Sequence, residues 1–255
     1  MKKRIICLLA ALLLVSAAFG CAGKAASTDS AKIKAKGKLV VGITDFEPMD
    51  YLDENGNWIG FDADLAVEFA KSLGVQAEFT VIDWDSKTME LDAGNIDCVW
   101  NGMTLTDGVK AAMETSKPYC GNAQVIVTTA DKAAAFHNGA ATFAVEAGSA
   151  GEEVAKEKGW NVVAVQSQGD ALLEVASGTS DACIIDRLMA RAMTGEGTSY
   201  PDLVITEALN EEEYGVGFRK GSDLAAMLDT FLDGKYADGS LAALAQKYDV
   251  DLLAR

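Results

Sequence analysis

The sequence predicts an α/β protein built from two similar lobes, because one short segment is repeated together with its flanking pattern. The segments 94–101 and 178–186 start 84 residues apart and read almost alike. In each, an amphipathic helical run ends at a glycine, and a short apolar stretch follows an aspartate, as where a helix leads into a buried parallel strand. We therefore expect mainly parallel sheets flanked by helices, with a ligand cleft between the lobes.

Length and composition exclude several classes of protein. The chain has 255 residues, of which 49% are hydrophobic, and this is ample for a packed core. Its net charge of −16 would repel nucleic acid. The single histidine, His137, lies in a polar, turn-like stretch typical of a solvated loop, and no other residues have metal-ligand spacing. Neither a metal nor a cofactor is predicted.

The N-terminus carries an export signal. Three basic residues are followed by the apolar run 5–19, which is too short for a comfortable membrane span, so 1–20 is predicted to be a signal peptide. Cys21 stands where a lipoprotein signal is cut and is the predicted lipidation site, with a linker over 21–37. A plain cleavage site is the alternative, because Phe19 is bulky. Acylation would tether the body to the outer face of the cytoplasmic membrane, and without it the protein would be periplasmic.

Three cysteines remain once the leader is removed: Cys98, Cys120 and Cys183. Their number is odd, and two of them occupy predicted buried strands in different lobes. Free core thiols are therefore favoured over a disulfide, although a bridge through Cys120 is left open.

The remaining pattern places the elements along the chain. Strands are predicted at 39–43, 77–82, 142–146, 161–165 and 214–219, and helices at 62–73 (capped by Asp62), 107–113, 152–158, 222–232 and 240–248. Two extended segments, 124–128 and 203–206, are interpreted as crossings between lobes. The first lobe is then discontinuous, comprising 38–126 and 207–255, and the second lobe comprises 127–206.

Six blocks in this order resemble the family 3 solute-binding proteins of ABC transporters, the amino-acid receptors of the periplasmic-binding-protein class. They are 41–49 (VGITDFEPM), 59–66 (IGFDADLA), 101–106 (NGMTLT), 116–119 (SKPY), 144–149 (AVEAGS) and 214–221 (YGVGFRKG). The resemblance runs from about Leu39 to Tyr248. It implies a type II two-lobed fold that closes around a ligand, a monomer that delivers its ligand to a membrane permease, and no catalytic residue.

The resemblance also implies the binding residues. An aromatic ring that stacks on the ligand falls on Phe46, a second apolar wall on Trp58, and an acid that receives the ligand's ammonium group on Asp186. Asp45 falls where some members contact a polar ligand tail. The contacts to the ligand carboxylate fall on Asn101, Gly102 and Thr104 in the first lobe and on Ser149 and Ala150 in the second.

One position departs from the family pattern. The family commonly places an arginine five residues beyond the threonine of the 101–106 block, as a bidentate partner for the ligand carboxylate, and here that residue is Val109. The turn 148–151 between a strand and a helix could hold the carboxylate with its N–H groups instead, unless it is an ordinary tight turn. Arg187 is a further candidate, with a surface or hinge ion pair as the alternative.

Other candidates also have two interpretations. A carboxylate ending an apolar strand is costly to bury unless a cation or donors meet it, which favours Asp186 as a ligand contact, yet it could simply cap the following helix. Trp100 could contribute to a cation-binding cage or pack in the core. Thr104 could contact the ligand or cap local backbone.

The predicted function is capture of a small polar solute, most simply an amino acid, by lobe closure for an ABC importer. A non-amino-acid amine is an alternative ligand, and a sensing module that reports to a membrane receptor is an alternative role. A dehydratase-like enzyme on the same fold would need a tuned acid or base, for which Asp45, Glu47 and Glu146 are candidates. No His or Lys partner stands beside these acids in the sequence.

Overall fold

The computed structural model describes residues 27–134 and 140–254. The predicted signal peptide, the lipidation site Cys21 and the loop histidine His137 lie outside the described residues. Within those two ranges, no helix is both long enough and apolar enough to cross a membrane.

Helices and strands alternate along the described chain. The helices are α1 (Asp29–Lys36), α2 (Phe61–Ser72), α3 (Lys87–Ala93), α4 (Asp107–Ala112), α5 (Ala130–Ala133), α6 (Ala150–Glu157), α7 (Gln168–Ala176), α8 (Arg187–Met193), α9 (Leu224–Asp238) and α10 (Ser240–Tyr248), with a 3₁₀ turn at Trp84–Ser86. The strands are β1 (Lys38–Ile43), β2 (Tyr51–Leu52), β3 (Trp58–Ile59), β4 (Gln76–Val81), β5 (Cys98–Thr104), β6 (Glu114–Thr115), β7 (Cys120–Asn122), β8 (Gln124–Thr129), β9 (Thr142–Glu146), β10 (Asn161–Val165), β11 (Ala182–Asp186), β12 (Leu203–Ala208) and β13 (Glu212–Phe218).

Two sheets form the centres of the two lobes. The first has the order β4-β1-β5-β13-β6, with β7 also paired to β13, and the second has the order β10-β9-β11-β8-β12. In each sheet three strands run parallel (β4, β1 and β5; β10, β9 and β11), and antiparallel strands join them at one side. The sheets are therefore mixed rather than purely parallel. The repeated sequence segments supply the corresponding strands β5 and β11, which confirms the predicted two-lobed α/β fold.

The chain crosses between the sheets twice. It leaves the first sheet after β7 and enters the second at β8, and it returns between β12 and β13. The segments 124–128 and 203–206, interpreted above as crossings, are instead strands of the second sheet that pair with each other. Pairing satisfies their backbone groups, so the crossings fall in the short connections at 123 and 209–211, a few residues from the predicted boundaries.

The N-terminal part of the described chain differs from the predicted linker, because residues 29–36 form the helix α1. Thr28 caps this helix by accepting from the Ala31 N–H, and Gly37 ends it with a positive φ of 74°. Its Ile33 is fully buried, and Lys36 pairs with Asp97 at 2.5 Å. These contacts fix the helix on the first lobe.

A buried pair of carboxyl groups lies beneath the loop that follows β1. Asp62 was predicted to cap a helix, but Gly60 holds the cap position and Asp62 is fully buried in the first turn of α2. There it accepts hydrogen bonds from the Gly102 N–H (2.7 Å) and the Tyr119 hydroxyl (2.7 Å). Burial raises the pKa of Asp62 to about 7, and burial together with Asp62 raises the pKa of Asp50 well above its usual range.

The three body cysteines are buried free thiols in the part of the chain that the structure describes. The expectation of free core thiols is confirmed, and the alternative bridge through Cys120 is not formed. Burial raises the pKa of all three thiols, so they carry no charge at neutral pH.

We expect Asp62→Asn to be more stable than the wild type at pH 8 and to lose that advantage at pH 5. The folded wild type keeps a proton on Asp62 up to about pH 7, whereas the unfolded chain releases it above about pH 4. The free energy of unfolding of the wild type therefore falls as the pH rises from about 4 to about 7. Urea unfolding at both pH values should give a pH-dependent difference of about 1 kcal/mol or more. A difference independent of pH, or one reproduced by the exposed control Asp92→Asn, would contradict this account.

Candidate functional site

A cavity of about 50 Å³ lies between the two sheets, at the strand ends that face each other. Both lobes line it, with the following residues: Thr44, Phe46, Trp84, Lys87, Asn101, Gly102, Met103, Thr104, Thr106 and Val109 from the first lobe, and Glu146, Gly148, Ser149, Ala150, Glu153, Gln168 and Asp186 from the second. Several of its polar side chains are buried, among them Asn101, Glu146 and Asp186, and the two lobes are in direct contact. We therefore interpret the arrangement as a closed form.

Direct contacts hold the lobes together at the edge of the cavity. Lys87 Nζ donates to the Gly148 carbonyl oxygen at 2.9 Å, and Gln166 Nε2 donates to Asp83 Oδ1 at 2.7 Å. Gly148 has a φ of 71°, and a Cβ atom there would lie 2.7 Å from the Asp85 Cα of the opposite lobe. Glycine is thus required at this position both by the backbone and by the closed arrangement.

The first lobe presents an aromatic wall. Phe46 is 2% exposed and packs edge to face against Tyr214, with ring centroids 6.4 Å apart. Gly102, with a φ of 55°, lies directly against this ring, because a Cβ atom there would be 2.5 Å from Phe46 Cε1. The structure therefore places Phe46 in the cleft, as the sequence predicted.

The polar groups of the 101–104 segment are largely paired within the protein. The Asn101 side chain accepts from the Thr44 N–H (2.9 Å) and donates to Asp50 (2.8 Å). Thr104 Oγ1 donates to Glu212 at 3.0 Å. The Gly102 N–H, predicted to contact the ligand carboxylate, donates to Asp62 instead, because that buried carboxyl group needs donors. These residues line the cleft, and their contacts with a ligand stay a prediction.

The second lobe contributes the start of a helix. Ser149 is the N-cap of α6, and its hydroxyl accepts from the Glu152 N–H at 3.1 Å. The N–H groups of Ala150 and Gly151 belong to the first turn and so have no acceptor within the helix. The strand, the turn and this helix adjoin as predicted, and they bring N–H groups and a partial positive charge to the cavity wall.

Asp186 is the centre of a buried hydrogen-bond network. It is 5% exposed and accepts from Asn122 Nδ2 (2.5 Å), Gln124 Nε2 (3.0 Å), the Tyr214 hydroxyl (2.5 Å) and Gln168 Nε2 (2.5 Å). It occupies the N-cap position of α8 but makes no capping bond with its side chain, so the alternative capping role is not observed. All four donors are neutral, and burial, followed by the neighbouring Glu212, raises the pKa of Asp186 well above its usual range.

The lining contains two further buried charged side chains, Glu146 and Lys87, and it also contains Glu153. Glu146, at the end of β9, is 2% exposed, and its Oε1 has no hydrogen-bond partner among the described residues. Burial raises the pKa of Glu146 to about 8, although Lys87 and Gln168 oppose the shift. Burial lowers the pKa of Lys87, which also lies over the Trp84 ring at 4.7 Å.

Four predicted residues do not reach the cavity. Trp58 lies in the short β2–β3 hairpin and packs against the hydrophobic cluster of the first lobe. Trp100 is fully buried against Phe69, which is the core-packing alternative. Arg187 faces Glu211 at 4.0 Å, and Asp45 is exposed in a groove at the cleft edge. In each case the strand register and hairpin geometry, which the sequence does not specify, direct the side chain elsewhere.

Several lining residues were missed as ligand contacts, among them Trp84, Lys87, Glu146 and Gln168. Trp84 lines the cavity, whereas Trp58 does not. The sequence signal that could have identified Trp84 is an aromatic residue between two acids, just after a predicted strand. Glu146 carried the same signal as Asp186, an acid ending an apolar strand, but was weighed only as an acid or base for catalysis. Val109 does line the cavity, so the departure from the family's arginine occurs at the site itself.

Comparisons with known proteins agree with this architecture. The family model of the bacterial extracellular solute-binding proteins, family 3, matches residues 39–250. The L-cystine-binding protein TcyJ of Escherichia coli K12 is 29% identical over 231 residues, covering 85% of this chain and 84% of that protein. A mutant of ArgBP from T. maritima superposes with a TM-score of 0.80 at 36% identity, covering 86% of this chain and 98% of the other.

A third similar structure is the ancestral amino-acid-binding protein AncCDT-1, described as a precursor of cyclohexadienyl dehydratase. It has a TM-score of 0.77 and 30% identity, with 86% of this chain and 98% of the other covered. The family match spans both lobes, both crossings and the cavity between them. The chain belongs to family 3 of the bacterial extracellular solute-binding proteins.

Proposed function

We propose that this protein captures an α-amino acid between its lobes and delivers it to the permease of an ABC importer. The observation that carries the proposal is the cavity itself, which both lobes line and which holds buried polar groups. A ligand that contacts both walls favours the closed form, because only that form provides all of the contacts.

The cavity lining offers one site for the ammonium group of an amino acid and one for its carboxylate. Four neutral donors satisfy the geometry of the Asp186 carboxyl group without offsetting its charge, and burial raises its pKa; an ammonium group of the ligand would favour the charged form. The first turn of α6 offers N–H groups to a carboxylate, in place of the arginine that Val109 replaces. Phe46 and Trp84 supply apolar surface for the side chain.

The relatives support an amino-acid ligand, since their names refer to cystine, arginine and amino-acid binding. We further propose that the protein is an extracytoplasmic monomer and that Cys21 tethers it to the membrane. The bounds of its two lobes follow from which strands belong to each sheet. The basic and apolar leader and the cysteine that follows it support export and acylation.

A binding role without catalysis is part of the proposal. Of the three acids considered for a dehydratase, Asp45 is exposed at the cleft edge, and Glu47 lies outside the cavity lining. Glu146 alone lines it. The likeness to a dehydratase precursor makes the alternative worth testing: ligand recovered from the protein after prolonged incubation should be chemically unchanged.

We expect a thermal-shift screen of amino acids, amines and polyamines to give stabilisation by amino acids. A ligand that binds only the folded state raises the melting temperature, by an amount equivalent to about 2.7 kcal/mol at a hundredfold excess over the Kd. Small-angle scattering with the same ligand should show a decrease in the radius of gyration as the lobes close. Stabilisation by decarboxylated amines and not by amino acids would contradict the ligand class.

We expect Asp186→Asn to abolish amino-acid binding while thermal stability at pH 8 is kept or raised. The amide cannot compensate an ammonium group, yet it removes a buried carboxylate that only neutral donors surround. Calorimetry and thermal melts measure the two effects. Unchanged affinity would refute the assignment of Asp186.

We expect Gly148→Ala to weaken ligand binding by opposing closure. The added methyl group would meet the Asp85 backbone of the other lobe at 2.7 Å. Gly159→Ala is a matched control, because Gly159 lies in the same lobe with a φ of 69° and has nothing within 4 Å of the added Cβ. Both variants should share the cost of backbone strain in urea unfolding, but only Gly148→Ala should raise the Kd. Equal affinities for the two variants would contradict this account of closure.

A further inference from the structure

We propose that Glu146 is a specificity-determining ligand contact, which accepts a hydrogen bond from a cationic group at the end of the ligand side chain. This inference rests on the proposed amino-acid-binding function and narrows it to α-amino acids with a positively charged side chain.

The position of Glu146 places it in the cleft beside the proposed ammonium site. β9 and β11 are adjacent parallel strands, and Glu146 and Asp186 are their last residues. The carboxyl ends of parallel strands meet at one edge of a sheet, so both acids line the same cavity. Gln168 connects the two acids, because it donates to Asp186 and is close enough to Glu146 to oppose the rise of its pKa.

The hydrogen bonding of Glu146 is incomplete. Asp186 accepts four hydrogen bonds from the protein. Glu146 Oε1, in contrast, has no partner among the described residues, although Glu146 is only 2% exposed. Most buried polar groups in proteins are paired, and burial without a donor disfavours the charged form, which raises the pKa of Glu146 to about 8; a cationic donor would favour the carboxylate. A donor from the ligand would complete the pairing.

The nearby cation of the protein does not fill this place. Lys87 is the basic side chain in the cavity lining, and its Nζ donates to the Trp84 carbonyl at 3.0 Å and the Gly148 carbonyl at 2.9 Å. Among the described residues, the hydrogen-bond partners of Lys87 Nζ are these carbonyl oxygens rather than Glu146, although the positive charge of Lys87 opposes the rise in the pKa of Glu146. Lys87 therefore binds the lobes together and leaves Glu146 Oε1 free for a ligand.

The rest of the lining favours a cation over an uncharged donor. Glu146, Glu153 and Asp186 face one lysine, so the lining carries more acidic than basic groups. Phe46 and Trp84 provide aromatic faces, which attract cations as well as apolar groups. A side chain that ends in an ammonium or guanidinium group satisfies the acid and the aromatic rings together.

The test compares L-arginine with L-citrulline, in which an uncharged urea replaces the guanidinium at nearly the same size, with L-lysine as a second cationic ligand. Calorimetry is performed on the wild type, Glu146→Gln, Glu146→Asp and the control Glu207→Gln, an exposed acid on β12 outside the cavity. The wild type and the control should bind arginine more tightly than citrulline by about tenfold to hundredfold, and Glu146→Gln should remove most of that preference. Glu146→Asp keeps the charge but shortens the side chain by one methylene, so its preference should be intermediate, and it supplies the result if the glutamine variant does not fold.

Three outcomes overturn the inference while leaving the proposed function intact. They are an arginine-to-citrulline preference unchanged in Glu146→Gln, an equal loss of both ligands, which would place Glu146 at the α-ammonium group, and a wild type that prefers uncharged amino acids to arginine and lysine. Failure of every amino acid to bind the folded wild type would instead overturn the proposed function, and this inference with it.

Discussion

The need to hydrogen-bond one buried carboxylate, Asp186, determines how the two lobes meet. Gln124 lies directly opposite it in the antiparallel pair of β11 and β8, and Asn122 precedes the crossing that leads into β8. Tyr214 reaches it from β13, after the chain has returned to the first sheet. Leaving such a group without donors would cost several kcal/mol. Elements from both sheets and both sides of the first crossing therefore have to converge at this point, and the cleft is formed where they do.

The same network explains why the site is poised for a ligand. Neutral amides and a hydroxyl group can satisfy the geometry of a buried carboxylate, but they do not cancel its charge. Glu146 has an oxygen without a partner, and the first turn of α6 has N–H groups without helical acceptors. The ammonium group of an amino acid would donate to the acidic groups, and its carboxylate would accept from the N–H groups. Such incompletely paired groups do not favour stability, so their presence in a buried cleft is typical of a binding site.

Closure depends on small and specific contacts rather than on a large interface. Gly148 lets the second lobe approach the Asp85 backbone, and Lys87 reaches the carbonyl of that same glycine. A larger residue at Gly148 or the loss of Lys87 would act on the closed form while leaving the cores of the lobes unchanged. One hydrophobic cluster contains buried residues of both sheets, such as Val41 of β1 and Val127 of β8. The proposed selection between open and closed forms therefore rests on the contacts at the edge of the cavity.

The sequence by itself determined the elements and their repetition, because burial patterns and glycine or aspartate boundaries act over a few neighbouring residues. It thereby identified β5 and β11, the strand and helix around Ser149, and the position of Asp186 at the end of a strand. The family resemblance added Phe46 as a residue of the cleft. Only the tertiary structure decided which side chains line the cavity: Trp84 in place of Trp58, Asp62 as the acceptor for the Gly102 N–H, and Glu146 with its unpaired oxygen. Those outcomes depend on strand register, on a hairpin and on the approach of two lobes. They arise between residues far apart in the chain, where no local pattern carries the information.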